Sequence, residues 1–300
     1  MKIRLVDNGV FPVLMDKEGH RVNHAPMTGF DFSGTLQGEG KLLGLPSLFI
    51  RFSGCNLRCV WQAFDGSISI CDTPYSSHQA HSFLEMEVED IVKTVAQNLK
   101  GIKHVVITGG EPTLQATALV SLARELKNLG LHITIETNGV LFIPELAKHI
   151  DLFSISPKLS STVPTREKIK LMPEPIDESF EQWQESRRKN LDVLQQYINA
   201  CYFSDSYYGD EAVKRVNRRE DKDFQLKFVV GRPEDEAEIK NDYLSKLSKV
   251  TPGDVLIMPL GGTREFISKT YRIAAEMAVR NRWRLTPRLH IDLFNDTQWV

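Results

Sequence analysis

Cysteine is nearly absent. The 300-residue chain has four, too few for the disulfide framework on which small secreted domains rely. Charge of one sign is missing as well. Its 37 Lys and Arg face 39 Asp and Glu, a net charge of −2, which excludes a protein that grips polyanions by bulk positive charge. No direct contact with nucleic acid is expected. Nowhere do apolar residues approach the roughly 18 in a row that span a membrane. The opening MKIRLVDNGVFPVLMDKEG is broken by Asp7, Asn8, Pro12 and Asp16, unlike a secretion signal. A cytoplasmic protein with reduced thiols and no membrane partner is the expectation. With 41% hydrophobic and 25% charged residues the composition is globular, and a chain this long buries roughly three quarters of its unfolded surface.

Short β-branched and aromatic runs alternate with helical periodicity, the pattern of a parallel sheet covered by helices. Strands are expected near Ser47 to Phe52, His104 to Thr108, His132 to Glu136, Leu152 to Ser156, Gln225 to Val230 and Val255 to Met258. Apolar residues at three- and four-residue spacing predict helices over Val88 to Leu99, Leu114 to Leu129 and Thr263 to Trp283. The alternation fails between Leu159 and Lys222, where a helix-like segment from Ser179 to Asn199 carries mixed charge. Residues 1–30 read as an amino-terminal hairpin extension turning near Asp16 to Gly19. Residues 31–300 then form the main unit, interrupted by a helical insertion over 159–222.

Three of the four cysteines fall together. Cys55, Cys59 and Cys71 give C-x3-C-x11-C directly after the first expected core strand, and three thiolates in one loop make a soft-metal site. Zinc with His78 or His81 as fourth ligand would close such a site; an iron-sulfur cluster would leave one iron open. Spacing alone does not choose between them. Thr108-Gly109-Gly110-Glu111-Pro112 follows the second of these strands. Its glycines permit close backbone approach and Glu111 offers a carboxylate, although a plain strand-to-helix turn would use Pro112 in the same way. Glu136-Thr137-Asn138-Gly139 and Ser156-Pro157-Lys158 end the next two. All these polar sets therefore lie on one rim of the sheet, where α/β folds place ligands. Cys201 stands outside every motif and reads as a small apolar residue.

The ordered set of three cysteines, Gly-Gly-Glu-Pro and Glu-Thr-Asn-Gly resembles the radical S-adenosylmethionine superfamily. Within it, Thr35-Leu36-Gln37-Gly38-Glu39-Gly40, Arg51-Phe52-Ser53-Gly54-Cys55-Asn56-Leu57, Cys71-Asp72-Thr73 and Arg288-Leu289-His290 resemble the 7-carboxy-7-deazaguanine synthase family. The resemblance covers about residues 31 to 158 and 225 to 300. Eleven residues, Val60 to Ile70, separate the second and third cysteines, where the family often has two. The stretch from Leu159 to Lys222 is also longer than compact members need.

The resemblance implies an α/β fold, a partial (β/α) barrel of the radical SAM type. It implies that Cys55, Cys59 and Cys71 hold a 4Fe-4S cluster whose open iron is chelated by S-adenosylmethionine, from which one electron releases a 5′-deoxyadenosyl radical. The implied substrate is 6-carboxy-5,6,7,8-tetrahydropterin, converted with loss of ammonia to 7-carboxy-7-deazaguanine for queuosine and related 7-deazapurines. Leu36, Gln37, Gly38, Glu39, Arg51 and Thr108 would face the substrate. A Glu39 carboxylate and a Gln37 amide suit the donors of an aminopyrimidinone edge, and Arg51 suits a carboxylate. Asp72, Gly110, Glu111, Glu136, Ser156, Pro157, Lys158 and the run Met258, Pro259, Leu260, Gly261 would contact S-adenosylmethionine. Thr73 would bind Mg2+ through its hydroxyl, unless it only caps the turn before Pro74. His290 would approach the substrate or sit as a satisfied histidine in a strand. An unidentified electron donor and a homodimer complete the implied partners. The rivals are a radical activase acting on a protein and a zinc-stabilised module without catalysis.

Overall fold

The computed structural model describes residues 1–172, 176–203 and 218–300. Its strands are β1 (Lys2–Phe11), β2 (Thr35–Leu36), β3 (Pro46–Phe52), β4 (Val60–Gln62), β5 (Ile68–Ile70), β6 (Leu84–Glu87), β7 (His104–Gly109), β8 (His132–Thr137), β9 (Leu152–Ile155), β10 (Asp223–Val230), β11 (Val255–Pro259) and β12 (Arg284–Leu285). The helices are α1 (Val88–Asn98), α2 (Ala116–Asn128), α3 (Pro144–Ala147), α4 (Arg166–Ile169), α5 (Ser179–Arg187), α6 (Leu191–Ala200), α7 (Asp235–Glu238), α8 (Arg264–Asn281) and α9 (Leu289–Phe294).

A ten-stranded sheet runs in the order β12-β11-β10-β9-β8-β7-β3-β1-β6, with β2 paired to β3 from outside this path. From β3 to β12 every neighbour pair on that path is parallel. The ends do not close, so the fold is a partial barrel. The central strands β7 and β9 read HVVITG and LFSI and are buried almost throughout, as strands covered on both faces must be. Helix α1 turns Val88, Ile91 and Val95 to the core; α2 turns Leu119, Leu122, Ala123 and Leu126. Their three- and four-residue spacing is the helical period written in side chains. Among the described residues, no helix is long and apolar enough to cross a membrane.

The six expected core strands are present within two residues at each end. Three expectations change. The expected helix from Ser179 to Asn199 is two helices, because Asn190 starts α6 by accepting from Val193 N at 3.3 Å, while Arg188 pairs with Glu185 and Glu238. In the first thirty residues the turn does fall at Asp16 to Gly19, below a Met15–Arg21 bridge. Yet β1 itself joins the main sheet between β3 and β6. His290 lies on α9 rather than in a strand. Of the excursion over 159–222, residues 173–175 and 204–217 fall outside the described residues.

Candidate active site

Because β3 and its neighbours run parallel, their carboxyl ends deliver Gly54, Gly110, Asn138, Ser156 and Leu260 to one rim. A cavity opens there. Its wall includes Cys55, Cys59 and Cys71 together with Leu36, Gln37, Gly38, Glu39, Arg51, Asp72, Thr73, Thr108, Gly110, Glu136, Ser156, Lys158, Met258, Leu260 and Gly261. Three expected contacts, Glu111, Pro157 and Pro259, are not on that wall.

The long spacing between the second and third cysteines has a simple geometry. The eleven intervening residues fold into a hairpin, β4 against β5, with Val60 opposite Ile70 and Gln62 opposite Ile68. Asp65 shapes its turn by accepting from Ser67 N at 3.0 Å. Cys59 and Cys71 therefore stand side by side at the hairpin base, where Cys71 N donates to Cys59 O at 3.2 Å. Cys55 and Cys71 pack against an apolar cluster of Leu57, Cys59, Trp61, Ala63, Val140 and Leu260. Among the described residues no three His, Cys, Asp or Glu side chains converge on one point as metal ligands; the three thiols share the wall without meeting. Burial pushes the Cys55 thiol up, and the Cys59 thiol up to about 11, and neighbouring thiols add to both. A soft cationic centre is what such a set needs to ionise, so the donors fit an iron-sulfur cluster. Neither candidate fourth ligand supports zinc. His78 is turned to the backbone, with Nε2 3.2 Å from Cys59 O, and His81 is exposed outside the cavity.

The Gly-Gly-Glu-Pro turn locks this loop in place. Gly110 N donates to Phe52 O at 3.0 Å and Glu111 N to Gly54 O at 2.9 Å. A Cβ on Gly110 would lie 2.1 Å from Gly54 O and 2.4 Å from Ser76 O. Only glycine allows so close an approach. Glu111 is 1% exposed and accepts from Thr113 N, Thr113 Oγ1, Thr137 Oγ1 and Asn138 N at 2.6–3.1 Å. It ties the β7 and β8 ends together from behind the wall.

The floor is built from β2 and the turn after it. Lys41 anchors that turn to Asp223 and Asp254 at the amino ends of β10 and β11, both at 2.9 Å, which sends Gln37 to Glu39 up into the barrel. Glu39 Oε2 accepts from Lys227, and Oε1 accepts from Arg288 Nε at 3.0 Å. Arg288 also pairs with Asp72. Burial alone would raise the Glu39 carboxyl, but the Lys227 and Arg288 charges hold it well below the usual carboxylate range. Gln37 donates to Glu136 Oε1 at 3.4 Å, and Thr108 donates to Oε2 at 2.7 Å. His290 Nε2 is 3.9 Å from Glu39, and burial lowers its pKa to about 4, so its ring is neutral. The ring occupies the space a Gly38 Cβ would need, 2.1 Å from Nδ1.

Arg51 makes no ion pair among the described residues. Its Nε is buried without a partner, and the guanidinium lies over Phe11 and Tyr75 at 5.1 and 5.8 Å from the ring centroids. Thr73 does not cap its turn through the side chain. Its carbonyl takes the Ser76 and Ser77 hydroxyls, leaving Oγ1 on the cavity wall 3.5 Å from Cys71 Sγ. Lys158 Nζ donates to Ser156 Oγ at 2.8 Å.

Sequence reasoning missed Lys227, Tyr75 and the carboxyl-terminal residues Asn295 to Val300, all on the wall. Trp299 packs on Tyr75 at 4.5 Å and edge-on to Phe11 at 5.8 Å. Lys227 had a signal: a lysine in the middle of an apolar strand, which is buried only with a partner.

Residues 49–226 match the model of the Radical SAM superfamily. A relative from Halobacterium salinarum, named 7-carboxy-7-deazaguanine synthase, is 37% identical over 268 residues, 87% of this chain and 88% of the relative. A protein of the same name from Rhodopirellula baltica is 32% identical over 260 residues, covering 87% and 83%. The crystal structure of QueE from Escherichia coli, 21% identical, aligns over 97% of this chain and 95% of that one with a TM-score of 0.55, a likeness of fold. The chain belongs to the 7-carboxy-7-deazaguanine synthase family of the radical SAM superfamily.

Proposed function

We propose that the chain converts 6-carboxy-5,6,7,8-tetrahydropterin to 7-carboxy-7-deazaguanine with loss of ammonia, as a radical carbon-nitrogen lyase of queuosine and 7-deazapurine biosynthesis. The observation that carries this is one cavity holding three cysteines together with Gln37, Glu39 and Arg51. When bound, a 4Fe-4S cluster and S-adenosylmethionine would supply a 5′-deoxyadenosyl radical able to abstract hydrogen from C6 of the pterin.

The chain's own groups bind and aim. Glu39, held ionised by two cations, presents only acceptors to the adjacent N–H groups of the aminopyrimidinone, while the Gln37 amide donates and accepts beside it. Arg51, its Nε buried without a partner and its guanidinium over the Phe11 and Tyr75 rings, offers a fork to the substrate carboxylate. Lys158, Ser156, Glu136 and Asp72 on the cavity wall would contact S-adenosylmethionine, with Met258, Leu260 and Gly261 along its adenosyl part. Thr73 Oγ1, free of capping duty, is an oxygen ligand for Mg2+, and Mg2+ there would neutralise the substrate carboxylate as the ring rearranges. We assign a cytoplasmic homodimer fed by a separate electron donor. A cavity lined by so many polar side chains fits a small polar substrate better than the backbone of a partner protein, which sets the activase reading aside.

The test is turnover. Anaerobic protein reconstituted with iron and sulfide, a reductant, S-adenosylmethionine and the pterin should release the deazaguanine; protein isolated with stoichiometric zinc and no product would sink the proposal. Arg51→Lys keeps the charge but loses the fork, and about a 10- to 100-fold fall in kcat/KM is expected. Unchanged kinetics would remove Arg51 from the substrate. Thr73→Ala should raise the Mg2+ concentration needed for half-maximal rate several-fold while iron content stays that of wild type. An identical Mg2+ response would end the ligand assignment.

A further inference from the structure

The excursion after β9 reaches back to the cysteine loop. On α5, Gln184 is fully buried and every polar atom of its amide is used. Its Oε1 accepts from Arg58 N at 2.8 Å. Its Nε2 donates to Thr162 O at 2.9 Å, and lies 3.1 Å from Thr162 Oγ1 and 3.7 Å from Cys59 Sγ, which share its other hydrogen. On the other side of Cys59, the buried Lys168 of α4 donates to Val60 O at 3.0 Å, and also to Ser161 O and Val163 O. Backbone atoms of both residues next to Cys59, Arg58 N and Val60 O, are thus held by this segment. Around them, Trp183 Nε1 donates to Asn56 O at 3.1 Å, and the Arg58 guanidinium lies over Phe180 at 4.9 Å. Cys59 itself is 6% exposed, so its sulfur has little water to rely on.

We propose that α5 sets the reduction potential of the cluster, through the Gln184 amide hydrogen directed at the Cys59 sulfur. The inference rests on the reading that Cys59 is a cluster ligand. An N–H aimed at a ligating sulfur stabilises the more negatively charged, reduced cluster more than the oxidised one, and in a site drained of water that dipole is poorly screened. Gln184 raises the potential and so eases delivery of the electron that starts each turnover. It is a positioning and tuning residue, since it touches neither substrate nor reacting atoms. The excursion, absent from any reading of the core motifs, then has a function in this chain: it seals the hairpin side of the cluster and supplies the donor.

The test is a redox titration of the cluster followed by electron paramagnetic resonance, on wild type, Gln184→Met and Gln184→Asn. Methionine matches the length and removes the donor; asparagine keeps the amide but withdraws it by one methylene, should methionine prevent folding. Iron and sulfide content should equal wild type, while the reduction equilibrium shifts about tenfold toward the oxidised cluster, ~59 mV for one electron. An unchanged potential at full cluster content overturns the inference. So does loss of the cluster from both folded variants, which would make Gln184 a brace and nothing more. Wild type that never takes up a 4Fe-4S cluster is a different failure, that of the proposed function itself.

Discussion

Glu39→Gln should cost about 3–5 kcal/mol of stability, because it leaves Lys227 and Arg288 charged and buried with one partner fewer. The side chains of Lys227, Arg288 and Glu39 are 6%, 7% and 11% exposed, so water offers little relief. Asp72 still faces Arg288, while Lys227 keeps only the charge of Glu136, with which it forms no ion pair among the described residues. In turnover the same change should lower kcat/KM by about 10- to 100-fold, since an amide cannot match an ionised acceptor for two N–H groups. Denaturant unfolding of the metal-free protein reads the first effect and steady-state kinetics the second. The pH dependence follows from the sign of the shift. Two cations hold the Glu39 carboxyl below its ordinary value in the folded chain. Its contribution is therefore complete above the unfolded value of about 4.3 and fades as pH falls below it. The stability gap between wild type and Glu39→Gln should be level from pH 7 to pH 5 and narrow in stronger acid. A gap that widens on acidification would contradict the pairing.

Cys55→Ala, Cys59→Ala and Cys71→Ala should each abolish turnover, whereas Cys201→Ala should keep it. All four are free cysteines and two of them are buried, so burial does not separate the groups. Position does. Cys201 is fully buried at the end of α6, its Sγ 3.6 Å from Tyr197 O, far along the chain from the hairpin that pairs Cys59 with Cys71. Its loss removes a small apolar group, at a cost of about 1–2 kcal/mol. Iron analysis after reconstitution should give full content for Cys201→Ala and a loss for the other three. Equal iron in all four variants would dissolve the three-cysteine set.

The sequence is most legible where its chemistry is local. A buried parallel strand announces itself as a short apolar run, and a helix by its period, which is why β3, β7, β8, β9, β10 and β11 were found with small errors at their ends. Their parallel direction then places every loop that follows them on one rim, so much of the site can be read from strand ends alone. What stayed hidden depends on pairings between distant segments. Residues 60 to 70 give no reason to expect that Val60 meets Ile70; with three residues in each strand, the hairpin is too short to show a period. Lys227 reads as an interruption of a strand until Glu39, 188 residues earlier, arrives beside it. Glu111 was expected to face the ligand because it follows two glycines at a strand end. It turns inward because four donors from three residues wait behind it. Gln184 lies in a mixed-charge stretch, and no periodicity marks a single buried amide.

The proposed radical source at the cysteine rim and the proposed substrate seat at the Glu39 floor line one cavity, and the proposal joins them in one transfer of hydrogen. Reconstituted protein should be given unlabelled S-adenosylmethionine and carboxytetrahydropterin carrying deuterium at C6, and the S-adenosylmethionine recovered after turnover should be analysed by mass spectrometry. The account predicts deuterium in its 5′ position together with 7-carboxy-7-deazaguanine. Recovered S-adenosylmethionine without deuterium, and no deazaguanine, would contradict it.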